Sequence, residues 1–148
     1  MALYEQIKKD LVSAMKAKDT LRLSVLRMTK SAITEEEIRG NKELSDDGVI
    51  TVLTRLVKQR NEAAEAFEKG GNAEKAASER AEIEILKEYL PKALTEDEIR
   101  DLVNETIQEV GAKAPTDFAI VMKSVMPKVK GKADGGLVNR IVKESLAG

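Results

Sequence analysis

Between Ser45 and Lys69 the apolar residues Val49, Val52, Leu53, Leu56, Val57, Ala63, Ala64 and Phe67 recur at steps suited to one face of a helix, a pattern with no coherent face on a strand. A helix over this stretch spans on the order of 36 Å at about 1.5 Å per residue. A stripe that long has to be buried against other elements, so it commits the chain to helices packed side by side. Its ends are marked. Ser45 is a good N-cap, Asp46 and Asp47 stand in the first turn where the dipole favours negative charge, and Gly70-Gly71 supplies a left-handed stop.

The rest of the chain reads the same way. Leu3, Ile7, Leu11, Ala14 and Met15 form a first stripe that stops around Lys18-Asp19. Thr20 is then the expected N-cap for a second helix carrying Leu21, Val25, Met28, Ala32 and Ile33 and ending near Gly40. Asn72 caps a fourth helix with Ala76, Ala77, Ile83, Leu86 and Leu90, which Pro91 closes. Thr95-Glu96-Asp97-Glu98 is a capping box, ahead of Ile99, Leu102, Val103, Ile107 and Val110, with Gly111 as the stop. Pro115 fits the first helical position of the next element, whose stripe is Phe118, Val121, Met122 and Val125. Pro127 is expected to end that helix near Val125. Asp134 caps a final helix through Leu137, Val138, Ile141, Val142 and Leu146. No alternating segment is long enough for a strand. The expected fold is all-α: a four-helix N-terminal domain over 1–90, a short hinge, and a small three-helix domain over 91–148.

Composition narrows the function. The chain has 148 residues, 34% of them charged, and a formal net charge of -1, so affinity for a polyanion has to come from local charge separation. Cysteine and histidine are both absent. That removes thiolate chemistry and disulfides, the usual zinc ligands, and the side chain best suited to proton transfer near neutrality. No apolar run approaches the roughly 20 residues that cross a bilayer, and the N-terminus does not resemble a signal peptide. A cytoplasmic protein with no metal, cofactor or membrane partner is expected.

Charge is unevenly divided after Leu94. From Thr95 to Asp117 the acids Glu96, Asp97, Glu98, Asp101, Glu105, Glu109 and Asp117 face only Arg100 and Lys113; from Val121 to Lys143 the bases Lys123, Lys128, Lys130, Lys132, Arg140 and Lys143 face only Asp134. With Pro127 as a stop, Lys128, Lys130, Gly131 and Lys132 form a cationic loop before the two glycines that open the last helix. Such a loop suits a phosphate, since lysines and amide N–H groups converge on it. The alternative is that these lysines are simply solvated charge. Base-specific reading is not expected, because aromatic residues for stacking are few and no known recognition motif is present.

The run V-M-K-S-V-M-P-K-V-K-G-K-A-D-G-G-L-V-N-R-I-V-K from Val121, with A-E-I-E-I-L-K-E-Y-L-P-K-A-L-T-E-D-E-I from Ala81, resembles the YqeY family. That family's C-terminal part is similar to the tail of the GatB component of the glutamyl/aspartyl-tRNA amidotransferase. K-D-T-L-R-L at Lys18 and L-V-K-Q-R-N-E-A at Leu56 resemble the family's N-terminal half. The resemblance implies a helical bundle joined to a small helical domain that helps hold tRNA. It makes Lys128, Lys130 and Lys132, with Lys123 and Arg140, the candidate contacts to the tRNA backbone, and it implies partners in the aminoacyl-tRNA machinery. One departure is Ala114, where the family often has a serine cap before Pro115.

Catalysis finds no support in the residues. The amidotransferase's glutaminase component uses a glycine- and serine-rich nucleophile segment, and no such segment is present; no phosphate-binding G-x-x-x-x-G-K-[ST] loop occurs either. Glu35, Glu36 and Glu37 point in different directions around a helix and cannot form one site, and no nucleophile with its base can be assembled. Arg22, Arg27, Arg55 and Arg60 are expected to pair with glutamates across helices or to form a second RNA-facing patch. Tyr4, Phe67, Tyr89, Met122 and Met126 are expected in core or hinge packing. The reading is a non-catalytic tRNA-binding accessory protein; the alternative is a helical adaptor that binds proteins through its long N-terminal helices and never touches RNA.

Overall fold

The computed structural model describes residues 2–147, and every apolar stripe becomes a helix. The helices are α1 (Ala2–Ala17), α2 (Thr20–Gly40), α3 (Asp46–Lys69), α4 (Ala73–Lys87), α5 (Glu96–Val110), α6 (Phe118–Val129) and α7 (Gly135–Ala147), with a 3₁₀ turn at Pro115–Asp117 before α6. No strand occurs among the described residues, and the fold is all-α. The chain divides into two compact units, Met1–Leu90 and Pro91–Gly148, each built around its own apolar cluster.

Local chemistry sets most boundaries. Ser45 Oγ accepts from the Gly48 amide at 3.2 Å, and Asn72 Oδ1 accepts from the Lys75 amide at 3.1 Å. Thr95 and Glu98 form both halves of the capping box, at 3.0 and 3.1 Å. α2 departs from expectation: its cap is Asp19, whose carboxylate accepts from the Arg22 amide at 3.1 Å, and Thr20 is already helical. Aspartate caps at least as well as threonine and carries charge for the dipole. α4 stops at Lys87, three residues short of Leu90, because the amides of Glu88, Tyr89 and Leu90 turn back onto carbonyls three residues earlier. The chain has left the α-helix before Pro91 forces it to.

The core of the first unit is phased differently from the expected stripes. Met15, Leu21 and Met28 are exposed, while Leu26 and Thr29 are buried beside Val25 and Ile33. The face of α2 that packs runs through Val25, Leu26, Thr29 and Ile33. A hydroxyl fits there because Thr29 Oγ1 donates to the Val25 carbonyl at 2.8 Å, so no polar group is buried unpaired. Tyr89 packs partly against this core and its hydroxyl donates to Asp10 Oδ2 at 2.6 Å. Burial, and then the bond to Asp10, pushes the Tyr89 phenol above its ordinary value.

Arg60 breaks the stripe of α3, in line with Leu56 and Ala64. Its side chain is only 8% exposed. One terminal nitrogen donates to Met28 Sδ at 2.7 Å and the other to the Leu56 carbonyl at 3.4 Å. Nε lies 3.5 Å from Glu82 Oε2, near enough to attract but outside hydrogen-bond geometry, so it has no acceptor. A buried guanidinium held this loosely depends heavily on its one counter-charge. Glu82→Ala is expected to cost about 2–4 kcal/mol in urea unfolding, and Arg60→Met, which removes the charge and keeps the bulk, much less. A loss for Glu82→Ala within about 0.5 kcal/mol would show that the guanidinium reaches water.

The capping box of α5 also makes a pH prediction. The backbone and then the side-chain hydrogen bond from Thr95 hold the Glu98 carboxyl below its ordinary 4.5. A carboxyl depressed by folding adds stability above its unfolded pKa, and that contribution is lost as pH falls through the lower folded value. Glu98→Gln keeps an acceptor at the cap but does not titrate. Its melting temperature is expected to fall less steeply with acid below pH 4.5 than that of the unchanged protein.

Candidate nucleic-acid interface

The candidate cations sit on α6, α7 and the turn between them. α6 does not end near Val125, because Pro127 lies inside it and the helix runs on to Val129. Proline here removes one amide and crowds the Lys123 carbonyl. Both Lys123 and Pro127 lie on the exposed side of the helix, where water can reach that carbonyl. The opposite side carries Val121, Val125 and Val129, all fully buried at steps of four. Continuing the helix keeps the third valine in the core.

That continuation reassigns the lysines. Lys128 stands in the last turn of α6, and its Nζ donates to Glu109 Oε2 at 2.9 Å and to Thr106 Oγ1 at 3.0 Å on α5. Lys128 is therefore tethered, not a free loop residue. Arg140 on α7 is also engaged, 3.1 Å from Glu96 Oε1 and 3.9 Å from Glu144 Oε1. Arg100 binds the same two glutamates at 3.3 and 3.4 Å, so two arginines and two glutamates alternate between α5 and α7. Lys143 Nζ lies over the Phe118 ring, 5.6 Å from its centroid, close enough for a cation–π attraction.

Lys123, Lys130 and Lys132 are exposed and make no ion pair among the described residues. Lys123 and Lys130 lie seven residues apart, nearly two whole turns, and so share the outward face of α6. Ile120 and Met126 flank them there, 56% and 37% exposed, so Met126 is not the core residue expected from its stripe. Lys130 is the extended C-cap, Gly131 follows at φ +74°, and the Lys132 amide returns to the Val129 carbonyl at 2.8 Å. The Lys132 carbonyl accepts from the Leu94 amide, also at 2.8 Å, which pins the turn to the start of the unit.

The backbone offers less to an anion than expected. The amides of Lys132 and Ala133 are bonded to Val129, and the Leu137 amide to Asp134 Oδ2 at 3.1 Å. Asp134 thus places a carboxylate at the positive end of α7, and anion contact falls to the ammonium groups. At the other end of α6, Asp117 Oδ2 accepts from the amides of Lys113 and Ala114, at 2.9 and 3.2 Å. These bonds tie down the residues before the turn; with alanine at 114, no side chain caps the amides of the turn itself. Of the arginines on the first unit, Arg22 meets Glu88 at 2.8 Å, Arg55 meets Glu36 at 3.1 Å and Arg60 faces Glu82.

With this geometry in place, comparison with known proteins gives a match to the family described as Yqey-like protein over residues 4–146. The chain belongs to that family. This Yqey-like protein is 33% identical over 130 residues to altered inheritance of mitochondria protein 41, mitochondrial, of Lachancea thermotolerans, covering 86% of this chain and 68% of that one. The protein of the same name from Kluyveromyces lactis is 32% identical over 130 residues, with 85% and 68% covered. A shorter likeness, 39% identity over 67 residues, joins it to one component of the glutamyl-tRNA(Gln) amidotransferase of Sulfurisphaera tokodaii, over 43% of this chain and 10% of that protein. No helix among the described residues is long and apolar enough to cross a membrane.

Pro127 gives a direct test of the packing that orients the lysines. Pro127→Ala restores an amide and relieves the Lys123 carbonyl without touching the buried valines. Stability in denaturant is expected to rise by about 1–2 kcal/mol, after allowing for the chain entropy that proline removes from the unfolded state. A fall would mean that the helix does not continue through this position.

Proposed function

We propose that this Yqey-like protein is a non-catalytic tRNA-binding accessory protein that grips the sugar-phosphate backbone with lysines at the turn between α6 and α7. The observation that carries the reading is the division among the cations of the second unit. Lys128 and Arg140 are tied to α5, while Lys123, Lys130 and Lys132 are exposed with no carboxylate partner among the described residues. Uncommitted ammonium groups on a pinned turn are what a phosphate chain can use, because binding then releases counter-ions and breaks no existing pair. The likeness to a component of a tRNA-dependent amidotransferase supports RNA of that class and a link to the aminoacyl-tRNA machinery. The cytoplasmic placement read from the sequence belongs to this proposal; the yeast relatives are mitochondrial by name, and tRNA is used in both compartments.

Lys128 and Arg140 take a secondary role here, since each must leave a glutamate before it can meet a phosphate. Filter binding of unfractionated tRNA across a salt series separates the two groups. Lys130→Ala and Lys132→Ala are each expected to lower the log-log salt slope by about 0.7–0.9, and Lys128→Ala and Arg140→Ala by clearly less. Binding that is absent, or indifferent to salt, overturns the proposal. Partners that stay bound through nuclease treatment, in a protein that retains no tRNA, would establish the adaptor reading instead.

A further inference from the structure

A groove of about 600 Å³ runs along the first unit, with Leu11 of α1 on one side and the exposed flank of α2 on the other. Arg27, Ser31, Thr34 and Ile38 line it at helical spacing, Lys30 stands beside Arg27, and Glu35 lies toward the far end. Arg27 is singular. Arg22, Arg39, Arg55, Arg60, Arg80, Arg100 and Arg140 each have a carboxylate within 4.0 Å, and Arg27 has none among the described residues. Lys30 has none either. An arginine that lines a groove, without a partner among those residues, is a charge open to one. Ile38 is 75% exposed, and Val12, Met15 and Met28 are exposed on the same two helices. A fold that buries Val25, Leu26 and Ile33 completely leaves these apolar groups in water.

We infer that this groove docks an acidic amphipathic helix of a partner protein, its carboxylates on Arg27 and Lys30 and its apolar face along Leu11 and Ile38. The stretch from Arg27 to Ile38 is roughly 16 Å long at about 1.5 Å per residue, room for three helical turns laid beside it. Charge complementarity selects this occupant. The two cations at one end ask for negative charge, while at the other end the exposed Ile38 excludes it and Glu35 repels it, Arg39 at 3.8 Å offsetting that charge only in part because it sits closer to Glu36. A peptide can carry its carboxylates at one end only. A nucleic acid presents a phosphate at every step, and an anionic membrane is negative throughout, so each would set charge against Glu35. The Ser31 and Thr34 hydroxyls lie between the two ends, and Thr34 Oγ1 already lies 3.2 Å from the Tyr4 hydroxyl. The groove belongs to the first unit and the candidate RNA lysines to the second, so this inference stands or falls apart from the tRNA reading.

The test uses the full chain and a synthetic three-turn helical peptide with leucines along one face and two glutamates one turn apart at one end, followed by amide shifts in NMR. Saturable shifts confined to Leu11, Arg27, Ser31 and Ile38 and their neighbours are expected. Arg27→Glu is expected to weaken the dissociation constant about tenfold, and a peptide in which lysine replaces only the glutamate that meets position 27, the other glutamate staying for Lys30, to restore it. Ile38→Asp tests the apolar contact at a position too exposed to matter for folding, and it is expected to weaken binding of the original peptide. The inference is overturned by the absence of saturable shifts, by equal shifts from a scrambled peptide, or by failure of the charge swap to rescue. It is also overturned if oligouridine RNA or phosphatidylserine vesicles move these amides and the peptide does not.

Discussion

Burial of Val121, Val125 and Val129 on one side of α6 decides where every cation of that helix points. Pro127 works against it. A proline inside a helix costs on the order of 3 kcal/mol, less near an end where few bonds remain to be lost. Fully burying one valine returns about 1.5 kcal/mol or more, and the intrahelical bonds of the last turn add to that. The helix therefore continues, and at about 100° per residue its direction sets the roles of the lysines. Lys123 and Lys130 turn outward together, while Lys128 turns toward α5 and reaches Thr106 and Glu109. Had α6 ended at Val125, Lys128 would stand in the same loop as Lys130 and Lys132. Hydrophobic packing, with no electrostatic preference of its own, leaves Lys128 tethered and Lys123, Lys130 and Lys132 without an ion pair among the described residues.

What was legible in the sequence was the chemistry that acts over a few residues. Ser45, Asn72, the Thr95–Glu98 box, Gly111 and Asp134 all cap where their side chains and backbone freedom say they should, because each needs only the next turn as partner. Thr20 failed for a reason of the same range: Asp19 beside it is an equal cap with added charge. The phase of α2 was harder to read. Its apolar residues are spread around the helix, so Leu21 and Met28 looked as fit for the core as Leu26. Only the neighbours of α2 choose between those faces, and they choose one that includes a threonine.

The site was legible as a composition and not as an arrangement. The acids of α5 and the bases of α6 and α7 stand out as runs, and a run looks like an exposed surface of one sign. Folding brings the two runs together in part. Glu109 takes Lys128 from 19 residues away, and Glu96 takes Arg140 from 44. No local signal marks which glutamate meets which base, since the pairing depends on how α5 lies against the other two helices. The reserve of positive charge left for a ligand is smaller than the sequence suggests, and it is better placed. An ion pair already made has to be undone before its lysine can serve a phosphate, whereas a lysine with no partner keeps its whole interaction for the ligand.

The turn that carries Lys130 and Lys132 is held at both sides, and this bears on what it can bind. Gly131 takes the left-handed conformation that a side chain would strain, the Lys132 amide closes onto Val129, and the Lys132 carbonyl is bonded to the Leu94 amide. The backbone of Lys130 to Lys132 is thus set before any partner arrives, and only the side-chain tips remain to be ordered on binding. Ordering a long side chain costs about 0.5–1.5 kcal/mol, less than ordering the loop as well. Contact through such tips reads spacing and charge, not bases, and Asp134 at the head of α7 turns away any phosphate that would sit deeper. A surface of this kind suits a regular anionic backbone crossing the outward side of α6 better than a single phosphate enclosed in a pocket.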